Sequence, residues 1–146
     1  MDHFTLNFDG ACWPNPAGTA SYGYILSKNG QVVKHGNDVI GTGPGMSNNF
    51  AEFFALYQGL RGLASIIPAD NPKATVAVYG DSDLVIKIMN KKWRPKQSKL
   101  YYMAAEKAIG FCHELRKSGV IITFDWIPRE KNTQADDLSK AHLEKL

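Results

Sequence analysis

The chain is 146 residues long, with 44% hydrophobic residues, 21% charged residues and a formal net charge of +3. This suits one globular domain, residues 1–146, with a single core; it is too short for two ordinary domains and too apolar for a disordered chain. No apolar run approaches membrane-spanning length, no secretory core follows Met1, and the mildly basic balance permits a polyanionic partner without demanding one. Cys12 and Cys112 are accordingly expected as reduced thiols in a cytoplasmic protein, a monomer with no membrane association.

Phe4, Leu6 and Phe8 alternate with Thr5, Asn7 and Asp9, the period of a pleated strand over residues 3–9. The spacing puts Asp9 on the face opposite Leu6 and Phe8, at the strand end, before a turn-rich stretch from Gly10 to Pro16. Ala20 to Ser27 and Gln31 to Ile40 form two more strands, joined by Asn29-Gly30, the favoured residues of a type I′ hairpin. Gly41 to Gly45 reads as a loop. Ser47 offers an N-cap to a long amphipathic helix reaching Ile67, with Phe50, Phe53, Phe54, Tyr57, Leu60 and Leu63 on its apolar face. Gly59 and Gly62 either weaken that helix or admit a close neighbour.

Ala74 to Tyr79 is short, apolar and β-rich, hence a central parallel strand buried on both faces. A helix follows from Ser82 to Asn90. The connector Lys91-Lys92-Trp93-Arg94-Pro95-Lys96 then leads into a helix from Ser98 to Lys117, with Leu100, Met103, Ala104, Ala108, Phe111 and Leu115 inward. Gly119 to Ile127 is a fifth strand and Thr133 to Leu146 a last helix. The order implies an α/β fold with a mixed five-stranded sheet: strands one to three antiparallel; one, four and five parallel; helices on both faces. Ligands in such sheets bind beyond the carboxyl ends of the parallel strands.

Four acids fall at element boundaries around that end. Asp9 and Asp81 follow strands one and four, Glu52 is expected in the first turn of the long helix, and Asp136 opens the last helix. Singly, each has an ordinary reading as a turn residue, a cap or a partner of a helix dipole. Gathered together, four carboxylates repel and rise in pKa unless cations neutralise them. Hard oxygen clusters suit Mg²⁺ or Mn²⁺, and two such ions about 3.5–4 Å apart would activate water and stabilise a leaving oxygen in phosphodiester hydrolysis.

Phe8-Asp9-Gly10-Ala11-Cys12 with Asn15-Pro16, Ser47-Asn48-Asn49-Phe50-Ala51-Glu52, Gly80-Asp81-Ser82 and Asn132-Thr133-Gln134-Ala135-Asp136-Asp137-Leu138 resemble the four signatures of the type 1 ribonuclease H family. The likeness spans nearly the whole chain in the right order. It implies cleavage of the RNA strand of RNA–DNA hybrids with two Mg²⁺ ions, Mn²⁺ substituting, leaving 5′-phosphate and 3′-hydroxyl ends. Asp9, Glu52, Asp81 and Asp136 match the catalytic, metal-holding acids. Gly10, Asn15 and Asn49 match hybrid contacts near the cut, and Ser47 matches a hydroxyl that holds a DNA phosphate. Glu52 would also meet the RNA 2′-hydroxyl. Asp137 points about 100° away on its helix and is left out.

Two features depart from many members. The loop Pro128-Arg129-Glu130-Lys131-Asn132 lacks their histidine, so Arg129 is either a phosphate-facing substitute or a solvated loop cation. The long basic handle is shortened to Lys91, Lys92, Arg94, Lys96 and Lys99 around Trp93, a phosphate-binding patch or a solvated charge run. Trp93 either lines a DNA channel or anchors the connector in the core. Two rival functions remain: another nuclease of the same superfamily, such as a resolvase or exonuclease, and a non-catalytic hybrid-binding module.

Overall fold

The computed structural model describes residues 1–143. Three strands, β1 (Asp2–Trp13), β2 (Thr19–Lys28) and β3 (Gln31–Thr42), form the antiparallel meander. Asn29 and Gly30 both take positive φ, 52° and 82°, as the tight β2–β3 turn requires. Helix α1 (Asn48–Ile66) and strand β4 (Ala74–Gly80) follow, then helices α2 (Asp83–Met89) and α3 (Tyr102–Ser118). Strand β5 (Val120–Trp126), a 3₁₀ turn at Arg129–Lys131 and helix α4 (Thr133–Lys140) complete the chain. The sheet order is β3-β2-β1-β4-β5, with β1, β4 and β5 parallel, as the element order implied.

The period-2 pattern of β1 assigns the two faces. Leu6 and Phe8 pack beneath α1, where Leu56, Leu60 and Leu63 are also fully buried. Gly59 explains how close that packing is, because a Cβ there would lie 2.7 Å from the Leu6 side chain; at Gly62 one would meet Tyr24. On the opposite face, Asn7 bonds to Asn132 at the start of α4, and Gly23 of β2 lies beneath Leu138 and Ser139. Helices therefore cover both faces, α1 and α3 on one and α4 on the other. Side chains cap α1 and α2: the Ser47 hydroxyl accepts from the Phe50 amide at 3.1 Å, and Ser82 accepts from Val85 at 3.2 Å.

Several elements differ from the sequence expectation. β1 continues past Asp9 to Trp13, because β2 pairs with it as far as Thr19. β3 likewise runs through Thr42 into the expected loop. β4 is central and parallel, but Thr75, Ala77 and Tyr79 are only half-buried: the short α4 packs on β1, β2 and β3 and leaves the outer face of β4 partly open. α3 begins at Tyr102, so Leu100 lies in the preceding turn and is exposed, as is Met103; Tyr101, Ala105 and Cys112 fill the core positions instead. α4 ends at Lys140, and the expected extension to Leu146 falls partly outside the described residues. Both cysteines are free and buried. No described helix is long and apolar enough to cross a membrane.

Candidate active site

Asp9 reaches the site from β1, just past its last pair with β4, while Asp81 immediately follows β4. Glu52 comes from α1. It is the helix's fifth residue rather than a first-turn acid, which points it inward, and it is only 6% exposed. The three carboxylates each offer an oxygen within 4.8 Å of the others. Asp136, in the first turn of α4, borders the same open cavity of about 730 Å³. All four expected acids are thus brought to one place, beyond the carboxyl ends of the parallel strands.

The close approach of α1 to β1 depends on Gly10. A Cβ at Gly10 would lie 2.2 Å from the Ala51 carbonyl carbon, so no side chain fits. The Gly10 amide donates to Glu52 Oε1 at 2.6 Å and to Asp9 Oδ1 at 3.0 Å, fixing both acids from one backbone group. Asn132 joins the other side. Its Nδ2 donates to the Phe8 carbonyl at 2.9 Å, its Oδ1 accepts from Asn7 at 3.1 Å, and its backbone carbonyl accepts from the Asp136 amide at 3.0 Å. One buried amide side chain therefore links the strand carrying Asp9 to the helix carrying Asp136. Trp126 donates its indole N–H to the Asp81 carbonyl at 3.1 Å.

The electrostatics divide the four acids. Burial pushes Asp9 from 3.8 up to about 7, with Asp136 and Asp81 adding to the rise and a hydrogen bond with Glu52 opposing it. Burial also raises Glu52 well above its usual range, with the adjacent Asp9 adding to it. Asp81 is raised by burial as well. Burial acts on Asp136 in the same direction, but its hydrogen bond with Asp9 and the cations of Lys140 and Arg129 bring it below the normal carboxylate value. Lys140 Nζ lies 3.1 Å from Asp136 Oδ1, and an Arg129 guanidinium nitrogen lies 3.3 Å from it. Glu52 Oε2 is buried with no hydrogen-bond partner. An acceptor desolvated beside two more carboxylates is a poor arrangement for protein alone and a fitting one for a hard divalent cation.

The remaining expected residues fall into two groups. Gly10, Asn49 and Arg129 line the acid cavity. Ser47, Lys92, Trp93 and Lys96 line a second groove of about 760 Å³, which Asn49 also borders. Trp93 is not in the core: it is 46% exposed, with Lys87 Nζ 4.3 Å from its ring centroid. Lys91, held in the left-handed region at φ 62°, lines neither cavity. Asn15 accepts from the Asn48 amide at 2.9 Å, tying the loop after β1 to the start of α1. Asp137 faces a shallow recess by β2 and β3, away from the acids. Sequence reading passed over Asn48, Ser82, Lys140 and Trp13, all lining the acid cavity. For Lys140 the signal was present, a lysine four residues after Asp136 on one helix.

A mixed β3-β2-β1-β4-β5 sheet with carboxylates at its parallel strand ends defines a ribonuclease H-like fold. Residues 7–142 match the family described as reverse transcriptase-like. The chain belongs to this family, on the type 1 ribonuclease H side of it. It is 30% identical to RNase H1 of the archaeon Halobacterium salinarum, covering 99% of each chain with a TM-score of 0.79. LC11-RNase H1, solved in complex with an RNA/DNA hybrid, superposes with a TM-score of 0.82 at 27% identity, covering 97% of each chain. The bifunctional protein Rv2228c of Mycobacterium tuberculosis is 31% identical over 92% of this chain, which spans 34% of that protein's length. The chain thus spans about a third of the first curated relatives it matches.

Proposed function

We propose that this chain is one catalytic domain that cleaves the RNA strand of RNA–DNA hybrids with divalent cations, leaving 5′-phosphate and 3′-hydroxyl ends. The observation that carries the proposal is the convergence of Asp9, Glu52 and Asp81 within 4.8 Å, with Glu52 Oε2 buried and unpartnered. The hybrid held by the related LC11 enzyme supports the choice of substrate. Asp9, Glu52, Asp81 and Asp136 would hold two Mg²⁺ ions, or Mn²⁺ in their place. Bound there, such ions supply positive charge to the scissile phosphate and its attacking water.

The chain's own residues supply positioning. Gly10 sets Glu52 against Asp9 through one amide, and Asn132 fixes the offset between Asp9 and Asp136. A hydrogen bond with Asp9, then Lys140 and Arg129, favour the ionised form of Asp136, ready to accept rather than donate. Asn49 borders both grooves, so it can touch the cut strand and its partner together. The basic groove around Ser47, Lys92, Trp93 and Lys96 suits the DNA strand, whose phosphates it would meet. The buried, unpaired thiols of Cys12 and Cys112 support a reducing, cytoplasmic setting. End-labelled hybrid incubated with Mg²⁺ is expected to lose only its RNA strand. Intact hybrid in both Mg²⁺ and Mn²⁺ would contradict the proposal.

The basic groove carries its own prediction. Replacing Lys92 and Lys96 with Ala should raise the hybrid KM and reduce the slope of log KM against log salt by roughly 1–2, with kcat at saturation little changed. Lys91→Ala should do much less, since Lys91 lies off the groove. Steady-state kinetics from low to moderate salt measure this, and an unchanged slope in the double variant would make both lysines mere solvated charges.

A further inference from the structure

Trp13 stands apart from every other large side chain near the acids. It ends β1 at the rim of the acid cavity, yet it is 76% exposed. Its backbone is held firmly on both sides. The Cys12 amide donates to Asn48 Oδ1 at 2.8 Å, the Asn48 amide donates to Asn15 Oδ1 at 2.9 Å, and Trp13 itself pairs with Thr19 of β2. The indole packs against none of the described aromatic rings or cations, unlike Trp93, which lies under Lys87, and Trp126, which bonds to Asp81. A large apolar ring on a rigid support, presented to water beside a cavity, is a recognition surface awaiting its other half.

We propose that Trp13 is a specificity-determining contact for the strand being cut, its indole packing on the ribose and base edge of the RNA next to the acids. This rests on the hybrid reading above. The cut strand is indicated because Trp13 lines the acid cavity and not the basic groove assigned to the DNA. The wide, shallow minor groove of an A-like duplex exposes riboses and base edges to such a ring, whereas phosphates would prefer a cation. The contact is apolar and stacking in nature, so it adds affinity with no counterion release.

The test compares wild type, Trp13→Ala and Trp13→Phe on hybrid across a salt series, with melting temperature as the folding control. Trp13→Ala is expected to raise KM about tenfold, the scale of one lost aromatic contact, leaving kcat within about twofold and the salt slope unchanged. Trp13→Phe should recover most of the loss. The same order should appear in the Kd of labelled hybrid measured in Ca²⁺ without turnover. If wild type cuts hybrid while Trp13→Ala keeps its KM and Kd within about twofold, the Trp13 proposal alone is overturned. A flattened salt slope in Trp13→Ala would also overturn it, by showing that the contact is electrostatic. If wild type neither binds nor cuts hybrid, the functional reading falls and takes the Trp13 proposal with it.

Discussion

Asp9→Asn is expected to abolish cleavage while raising the melting temperature of the metal-free protein. Asp9 is buried just past the last pair of β1 with β4 and shares the acid cluster with Glu52 and Asp81. Losing one charged ligand from a site built to hold cations should cut kcat roughly 10³-fold or more, about 4 kcal/mol of transition-state stabilisation. The stability effect runs the other way. Folding raises the Asp9 pKa from 3.8 to about 7, chiefly through burial, so the folded state prefers the protonated carboxyl. The stability this group contributes is fully present below its unfolded pKa of 3.8 and is lost as pH rises through about 7. Above that range, without metal, the ionised group costs on the order of 2–4 kcal/mol, which Asn does not incur. In a protein of this size that corresponds to a melting temperature roughly 5–10 °C higher for the variant at pH 8, a gap that should close toward pH 4. Melting curves in EDTA at the two pH values, with the hybrid assay alongside, measure both halves. Wild-type turnover in Asp9→Asn would remove it from the catalytic set.

The second large effect is substrate choice. Hybrid should be cut at least about 10⁴-fold better than duplex DNA, the range seen when a site built to bond a hydroxyl meets an analogue lacking it. On the proposed reading the RNA 2′-hydroxyl would meet Glu52, whose Oε1 is already engaged by Gly10 and whose Oε2 is free of protein partners. Duplex RNA should be a poor substrate because its second strand brings hydroxyls against Trp93 and Leu100 in the second groove, whose apolar faces favour a deoxyribose over a hydroxylated sugar. Parallel assays on the three duplexes decide the matter. Comparable cleavage of duplex DNA would favour a resolvase or exonuclease. Tight binding of hybrid without cleavage in either metal would favour a binding module.

What could be read in advance depended on whether the signal was local. Asn29-Gly30 and Ser47 act within three or four residues of themselves, and each does in the structure what its chemistry suggests. The strand alternation of Phe4 to Asp9 placed Asp9 on the correct face. The misses are long-range. β1 runs on through Cys12 and Trp13 because β2 supplies a pairing partner, which the turn-forming residues that follow conceal. Leu100 and Met103 are apolar at helical spacing, but α3 starts after one and turns the other outward. Asn132 appears in sequence as a helix-start residue; that it bonds to β1 more than a hundred residues earlier could come only from the fold.

The four acids are not equally secure. Asp9 and Glu52 belong to β1 and α1, whose buried faces form the centre of the core, so their amides should exchange with solvent only when the whole domain opens. Asp136 rides on an eight-residue helix that buries only Ala135 and Ser139 and is tethered by polar contacts: Asn132 to Phe8, Asn37 to Leu138 and Ser21 to Ser139. Such a segment can detach while the sheet stays intact. On the proposed reading, activity is therefore expected to be lost on heating when α4 detaches, below the temperature at which the domain melts.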